Sequence, residues 1–318
     1  MSLKVRYRHS RMRVVLPGCI LRAMNGERRV LHLIFNPAAD RGRADARRKD
    51  IAAYLAGRGV EVAWHETGGS GHAESIVRGL PDGEVVVAAG GDGTVHEVAA
   101  GCAGTSKVMG VLPLGSGNDY VKALGIGTRL GPALEILAGG KVRTVDAGEV
   151  NGTPFNNGLG IGFDAEVAAG VAEAPKALGG FGGYLWSVGR LLWGMKCHRA
   201  SIRLDGGEAF ETQTILVAAA LGTTYGARFK LAPHSSLTDG AFDVVWSEEV
   251  NRAEVIRLVP AVLRGTHLSH PKVHLARARE VEVSLAEPVP AHVDGEMLPT
   301  TREFRARVLP GALHVLAP

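Results

Sequence analysis

Asp92 stands among glycines in Gly90-Gly91-Asp92-Gly93-Thr94-Val95, directly after the apolar run "VVVAA" that starts at Val85. Glycines at such a turn let backbone N–H groups close around a phosphate. Thr94 sits where it either caps the following helix or meets that phosphate. A carboxylate in the middle would repel a bare phosphate, so Asp92 calls for a cation beside the ligand or a hydroxyl whose proton it accepts. The stretch "PLGSGNDY" repeats the pattern with Ser116, Gly117, Asn118 and Asp119, where Asp119 caps the next helix or faces the same ligand. Two glycine loops with interior carboxylates are more specific than either alone. Asn36, before Pro37, and Thr67 in "TGGSGHAES" are weaker candidates, offering an amide and a hydroxyl to nucleotide oxygens. Later in the chain, Asp239 in "SSLTDGAFDVVW" and Asp294 and Glu296 in "AHVDGEMLP" occupy Asp-Gly turns. Each is an ordinary turn signal, although a carboxylate with neighbouring carbonyls can also hold a hard cation such as Mg²⁺. The chain has no GxxxxGK[ST] loop and no HRD or DFG pair, and "GLGIGF" places Phe163 where a dinucleotide fingerprint needs glycine.

These loops need elements to hold them. From Val30 to Arg143 the runs "VLHLIFNP", "VEVAWHET", "EVVVAAGG" and "KVMGVLPLG" predict strands. Between and after them, "ADARRKDIAAYLAGRG", "HAESIVRGL", "TVHEVAAGCAG", "NDYVKALGI" and "LGPALEILAGG" predict helices. Such alternation predicts a doubly wound, mainly parallel α/β domain over residues 30–143. Ligands of that architecture bind beyond the carboxyl ends of the strands, where the four polar loops fall. Residues 144–307 change texture, with alternating or apolar runs broken by Gly, Pro and Asp, and predict a largely antiparallel β-rich domain; residues 308–318 are expected to pack back on the first domain. One exception is "LGGFGGYLWSVGRLLWGMK", an apolar helix that serves either interior packing or a lipid-facing surface.

With 318 residues, 46% hydrophobic side chains and 43 glycines, the chain builds a real core with many tight turns, which excludes small disulfide-held and disordered classes. The total charge is +4, but residues 1–29 hold eight Lys or Arg against Glu27 alone, a net of +7 that leaves −3 on the rest. The basicity belongs to an N-terminal extension, so nucleic-acid binding by the body is excluded; the extension reads as a solvated arm or an anchor to an anionic membrane, and Met24 is an alternative start. No run approaches the roughly 18 apolar residues of a membrane span. Three widely spaced cysteines without a CxxC pair suggest a reduced, cytoplasmic protein.

Taken in order, "NPAADRGRA", "TGGSGHA", "GGDGTVHEV", "PLGSGNDYVKALGI", "VDAGEVNG", "FNNGLGIGFDAEV", "SSLTDGAFDVV" and "HVDGE" resemble the diacylglycerol kinase-like family of bacterial lipid kinases, which is related to sphingosine kinases and more remotely to NAD kinases. The resemblance covers Val30 to Pro318. It implies a two-domain kinase whose active site lies in the interdomain cleft and which uses ATP and Mg²⁺ on a lipid hydroxyl at a membrane surface, most simply that of diacylglycerol. It implies ATP contacts at Thr67, Gly90 to Val95 and Ser116. Glu296 falls on the family's proton acceptor, and Asp239 with the carbonyls of Ser236 and Ala241 falls on its metal-binding turn. Asp92 falls on the loop aspartate that sphingosine kinases are thought to use as base, so two candidate bases stand. Ser116 replaces a common threonine and keeps the hydroxyl; His96 stands where bacterial members often have asparagine. A kinase for a soluble acceptor and a non-catalytic nucleotide-binding module are the alternatives.

Overall fold

The structure is a computed structural model that describes residues 29–42, 44–171, 173–175, 178–226 and 228–318. Of the basic extension only Arg29 falls among them; the rest lies outside the described residues.

Strands β1 (Arg29–Phe35), β2 (Val60–Glu66), β3 (Val85–Gly90) and β4 (Val108–Pro113) lie parallel in the order β2-β1-β3-β4. Helices α1 (Arg48–Ala56), α2 (His72–Gly79), α3 (Asp92–Cys102), α4 (Asp119–Ala123) and α5 (Leu130–Gly139) connect and cover them. Every residue of β3 and β4 is buried, as a parallel strand covered on both faces requires, which explains why both read as unbroken apolar runs. The segment before α1 is not one helix with it, because two 3-10 turns, Ala39–Gly42 and Asp45–Arg47, precede Arg48.

The second half begins with β5 (Lys141–Val150), β6 (Thr153–Phe155) and β7 (Gly158–Gly162), followed by α6 (Phe163–Val171) and α7 (Gly179–Leu191). Strands β8 (His198–Leu204), β9 (Phe210–Thr214), β10 (Leu216–Ala220) and β11 (Phe242–Ser247) lead to α8 (Arg252–Arg264). The chain ends with β12 (Val273–Ala278), β13 (Glu280–Val289), β14 (Ala291–Val293), β15 (Glu296–Met297) and the long β16 (Thr301–Ala317). Six strands make an antiparallel sheet in the order β12-β11-β10-β7-β14-β15.

The other strands join the parallel sheet. The end of β16 pairs with β4 through His314 and Val315, while its length pairs antiparallel with β5 and β13, which carries β8 and then β9. One ten-stranded mixed sheet therefore crosses the midpoint of the chain, and the boundary expected at residues 143/144 falls inside β5. The main core follows this continuity and runs from Leu31 and Val86 through Phe155 and Phe242 to Phe304.

Two helices interrupt the expected β texture. In α6, Phe163, Ala165 and Val167 are buried, so "FDAEVA" is a helix and not a strand. The other is α8, whose Asn251 side chain accepts from the Glu254 N–H while Glu254 accepts from the Asn251 N–H. In helix α7 Ser187 and Val188 are buried, in line with the packing reading, while Leu185 and, just past its end, Trp193 are exposed. Among the described residues no helix is long and apolar enough to cross a membrane.

Candidate functional site

Asp92 opens α3, and its carboxylate answers two donors from the neighbouring loop. The Asn118 N–H donates to Oδ2 and the Asp119 N–H to Oδ1, each at 2.8 Å. Asn118 holds a left-handed conformation (φ 54°) and clamps its own loop by accepting from the Gly115 N–H and donating to the Gly115 carbonyl. The two glycine loops approach so closely that a Cβ on Gly115 would lie 2.5 Å from the Gly91 Cα, and one on Gly117 would overlap Asp92 Oδ2. Burial, reinforced by the charge of Asp119, pushes the Asp92 carboxyl up to about 6, while the two amides pull the other way. Its charge thus serves first to fasten one loop to the other.

The remaining strand-end candidates surround this pair. The Asn36 N–H donates to the Ala89 carbonyl, and the Asn36 amide donates to Thr94 Oγ1 at 3.3 Å, so the buried Thr94 hydroxyl is tied to the first loop. Thr67 begins the second loop with its N–H on the Phe35 carbonyl. Gly90 and Gly91 complete the third loop, and the Val95 N–H closes the first turn of α3 on the Gly91 carbonyl.

From the other sheet, the turn between β14 and β15 closes over α3. Asp294, left-handed at φ 53°, accepts from the N–H groups of Asn156, Asn157 and Gly158 and from His96 Nδ1 at 2.7 Å. Burial works against the charge of both partners. Their hydrogen bond outweighs it, lowering Asp294 and raising His96. Glu296, two residues on, is exposed and lies over the first turn of α3, where a Cβ on Gly93 would come 2.6 Å from its Oε1.

Between these parts lies a cavity of about 240 Å³. Asp92, Val95, Ser116, Gly117, Asp119 and Tyr120 form its α/β side. Asn156, Asn157, Asp164, Tyr225, His292 and Asp294 are prominent on the other side. His292 Nε2 is 3.0 Å from Asp164 Oδ2, and the Gly295 N–H donates to His292 Nδ1, so in the neutral ring the proton is on Nε2; burial opposes the ring's charge, and the Asp164 carboxylate outweighs it and raises His292. The described residues include six buried side chains with a polar atom lacking a hydrogen-bond partner, and four of them, Tyr120, Asn156, Asn157 and Tyr225, are in this wall. Two of these oxygens are packed within the wall itself, Tyr225 Oη against Gly158 and Asn157 Oδ1 against Gly222.

Of the sequence candidates, the wall takes Asp92, Val95 and Ser116; Asn36, Thr67, Gly90, Gly91, Gly93, Thr94 and Asn118 stand behind it on the loops. Ser236, Asp239 and Ala241 are elsewhere. The Asp239 carboxylate pairs with Arg277 and accepts from the Ala241 N–H, and Ser236 Oγ is bonded to Thr238 Oγ1. Asp243, just beyond that turn, is three ladder steps across the sheet from the Asp294 turn, roughly 14 Å at about 4.8 Å per strand. A cation at Asp239 would have to displace a guanidinium. Asp92 and Asp119 are the carboxylates of the wall's α/β side, but Asp119 Oδ1 is itself paired with Lys122 Nζ at 2.9 Å, so a cation there would also compete with a bound charge. Among the described residues no group of three or more His, Cys, Asp or Glu converges as a complete metal cage.

The sequence reading left out Asp164, Tyr225 and His292 as site residues and took Asp294 as a turn residue or a possible ligand of a hard cation, not as the partner of His96. His292 and Asp294 did carry a signal, being polar residues in and just after the short apolar strand "AHV".

A cavity between paired glycine loops and an opposing carboxylate turn, with Asp92, Asp119, Asp164 and Asp294 in its wall, fits a phosphoryl-transfer enzyme. The chain belongs to the diacylglycerol kinase family. Residues 30–150 match the diacylglycerol kinase catalytic domain and residues 158–317 the YegS C-terminal NAD kinase beta sandwich-like domain. The protein named diacylglycerol kinase from Bacillus subtilis (strain 168) is 32% identical over 275 residues, covering 84% of this chain and 90% of that one. The diacylglycerol kinase of Staphylococcus carnosus (strain TM300) is 30% identical over 275 residues, with 85% and 89% covered. A crystal structure of a diacylglycerol kinase from Bacillus anthracis str. Sterne has the same fold, with a TM-score of 0.68 at 19% identity over 92% of this chain and 97% of that one.

Proposed function

We propose that the protein is an ATP-dependent lipid kinase that transfers the terminal phosphoryl group of Mg-ATP to the free hydroxyl of diacylglycerol, giving phosphatidic acid and ADP. The observation that carries the reading is the cavity wall, in which Asp92, Val95, Ser116 and Gly117 of the two glycine loops face Asp164, His292 and Asp294 of the other sheet across one space. The turn from Gly90 to Val95, through backbone N–H groups before Val95, with Asn36, Thr67, Ser116 and Asn118, would hold the triphosphate. Mg²⁺ bound with the triphosphate would neutralise its charge, facing Asp92 and Asp119 in the wall.

Of the two candidate bases we assign the proton to Glu296. Asp92 already accepts two amides and is needed to join the loops, whereas Glu296 is exposed beside Gly93. As the acceptor oxygen bonds to the terminal phosphorus, its proton passes to the Glu296 carboxylate and the bond from that phosphorus to the bridging oxygen breaks, leaving ADP. Most of the rate would come from positioning and electrostatics.

The test is transfer of labelled phosphate from ATP to a panel of lipids in micelles, with NAD included. Diacylglycerol should be labelled and NAD should not. Glu296→Gln should lose about 10²–10⁴-fold in kcat while still binding ATP. Labelling of NAD alone, or full activity in Glu296→Gln, would overturn the acceptor or the base respectively.

A further inference from the structure

The motif "GLGIGF" does not read as a dinucleotide fingerprint, and its glycines serve the cavity wall instead. Along β7 a Cβ on Gly158 would overlap the Tyr225 hydroxyl, and one on Gly160 would overlap Asp164 Oδ2 and come 2.6 Å from His292 Nε2. Gly160 is also the ladder partner of His292 on β14. The imidazole and the carboxylate therefore meet in the space that a side chain at position 160 would fill. His292 is 4% exposed, and each of its nitrogens has a protein partner, Asp164 of α6 at Nε2 and the Gly295 N–H at Nδ1. Tyr225 adjoins the ring edge-on, with 6.4 Å between the centroids. An imidazole engaged at both nitrogens has none left to take a proton from a substrate, so its work is to hold structure.

What it holds is the turn that carries Glu296. Strands β14 and β15 are joined by two residues, Asp294 and Gly295, at φ 53° and 93°, and the ladder pairs His292 with Met297 and Val293 with Glu296. Side chains alternate across a strand and ladder partners share a face, so Glu296 lies with Val293 on one face of the hairpin and His292 lies on the other. On the first face Val293 enters the main core and Glu296 reaches α3 at Gly93. The Asp294 carboxylate fastens the tip to His96 and to the N–H groups of Asn156, Asn157 and Gly158. From the opposite face His292 fastens the backbone itself, because the Gly295 N–H belongs to the central peptide of the turn, next before Glu296.

We infer that His292 is a positioning residue for the proton acceptor: oriented by Asp164, its Nδ1 holds the Gly295 N–H and with it the hairpin that sets Glu296 over α3; this rests on the assignment of the base to Glu296 above. The contacts run from α6 through Asp164, His292 and Gly295 to Glu296 and include no group of the glycine loops. They bear on the transfer step and not on nucleotide binding. A reacting group displaced by about 1 Å can cost on the order of 10²-fold in rate, so loss of the ring shows in kcat.

The experiment measures kcat and the KM for ATP, with diacylglycerol in mixed micelles, for the wild type, His292→Ala, Glu296→Gln and the double variant. His292→Ala should lower kcat about 10–100-fold and leave the KM for ATP within about twofold. Because His292 acts through Glu296, the double variant should be no slower than Glu296→Gln alone, whereas a general structural role would multiply the two losses. His292→Asn, whose side-chain oxygen stands near the place of Nδ1 and accepts from the same N–H, should recover most of the loss. Gly160→Ala removes no polar group but pushes on the ring, so it should lower kcat in the same way and is the second variant for the cycle with Glu296→Gln. Thermal unfolding shows which variants are folded. Wild-type kcat in folded His292→Ala or Gly160→Ala, losses that multiply in the double variant, or a His292→Asn no faster than His292→Ala overturns the inference and leaves the kinase reading intact. Full activity in Glu296→Gln removes the base and the inference with it, and a wild type that labels no lipid overturns the kinase reading.

Discussion

Asp92 shows how much one side chain can do beyond the role its motif suggests. Its two oxygens join the third and fourth loops, so Asp92→Asn would set an amide NH₂ against a backbone N–H, at a cost of about 1–3 kcal/mol. The pH dependence runs the other way. A carboxyl raised to about 6 from an ordinary 3.8 binds its proton more tightly in the folded state, so its ionisation opposes folding increasingly between pH 4 and 6. The stability of the wild type relative to Asp92→Asn should therefore fall between pH 4 and pH 7, by up to about 3 kcal/mol. Urea unfolding of both proteins at the two pH values checks this, and a pH-independent difference would reject the perturbed carboxyl. Neighbouring glycines separate the fold from the chemistry. Gly115→Ala drives a Cβ into the Gly91 backbone and should unfold the loop pair, seen as a large loss of thermal stability. Gly93→Ala meets only the end of the Glu296 side chain, which can swing away, so it should leave the melting temperature within a few degrees while lowering kcat as the carboxylate moves.

The elements that hold these residues were readable from the sequence where a local pattern decides them. The alternation of β1 to β4 with their helices follows from buried apolar runs and glycine stops, and it puts the four polar loops on one edge. The return of residues 308–318 to the first domain was expected, but not the strand they join, because the pairing of β16 with β4 links residues about 200 positions apart and no local pattern encodes that choice. The same reason hid the donors to Asp92, which belong to another loop, and the His96 partner of Asp294. Helix α8 is a different case, since its signals were local: Asn251-x-x-Glu254 at the start, an apolar stripe, and left-handed Gly265 at the end, partly masked by Pro260 inside the helix. Its cap gives a measurable expectation. Asn251→Ala removes the acceptor for the Glu254 N–H and should cost about 1 kcal/mol in chemical denaturation. A variant as stable as the wild type would mean that the cap adds nothing to the helix.

Across the whole molecule, the two sheets are fastened where the glycine loops meet the carboxylate turn. The ten-stranded sheet ties the halves covalently and by pairing, but at the cavity itself the tie is His96 on α3 to Asp294 beyond β14. This pair titrates at both ends. His96 is raised, so its stabilising charge is fully present below its ordinary value near 6.5 and is lost as pH rises through the folded value. Asp294 is lowered, so its contribution is present above 3.8 and is lost as pH falls through the folded value. The charged pair is thus complete between about pH 4 and 6.5. His96→Gln offers an amide donor in place of the charged one, and it should be less stable than the wild type by about 1–2 kcal/mol at pH 5, the difference between a charge-assisted and a neutral hydrogen bond. The gap should shrink as pH rises toward 8.5, because the wild-type ring loses its charge as pH passes through its raised folded value. Thermal unfolding of both proteins at the two pH values decides it, and a gap that is equal at both, or wider at pH 8.5, would mean that the ring is not charged against Asp294 and that the closure of the cleft rests on packing alone.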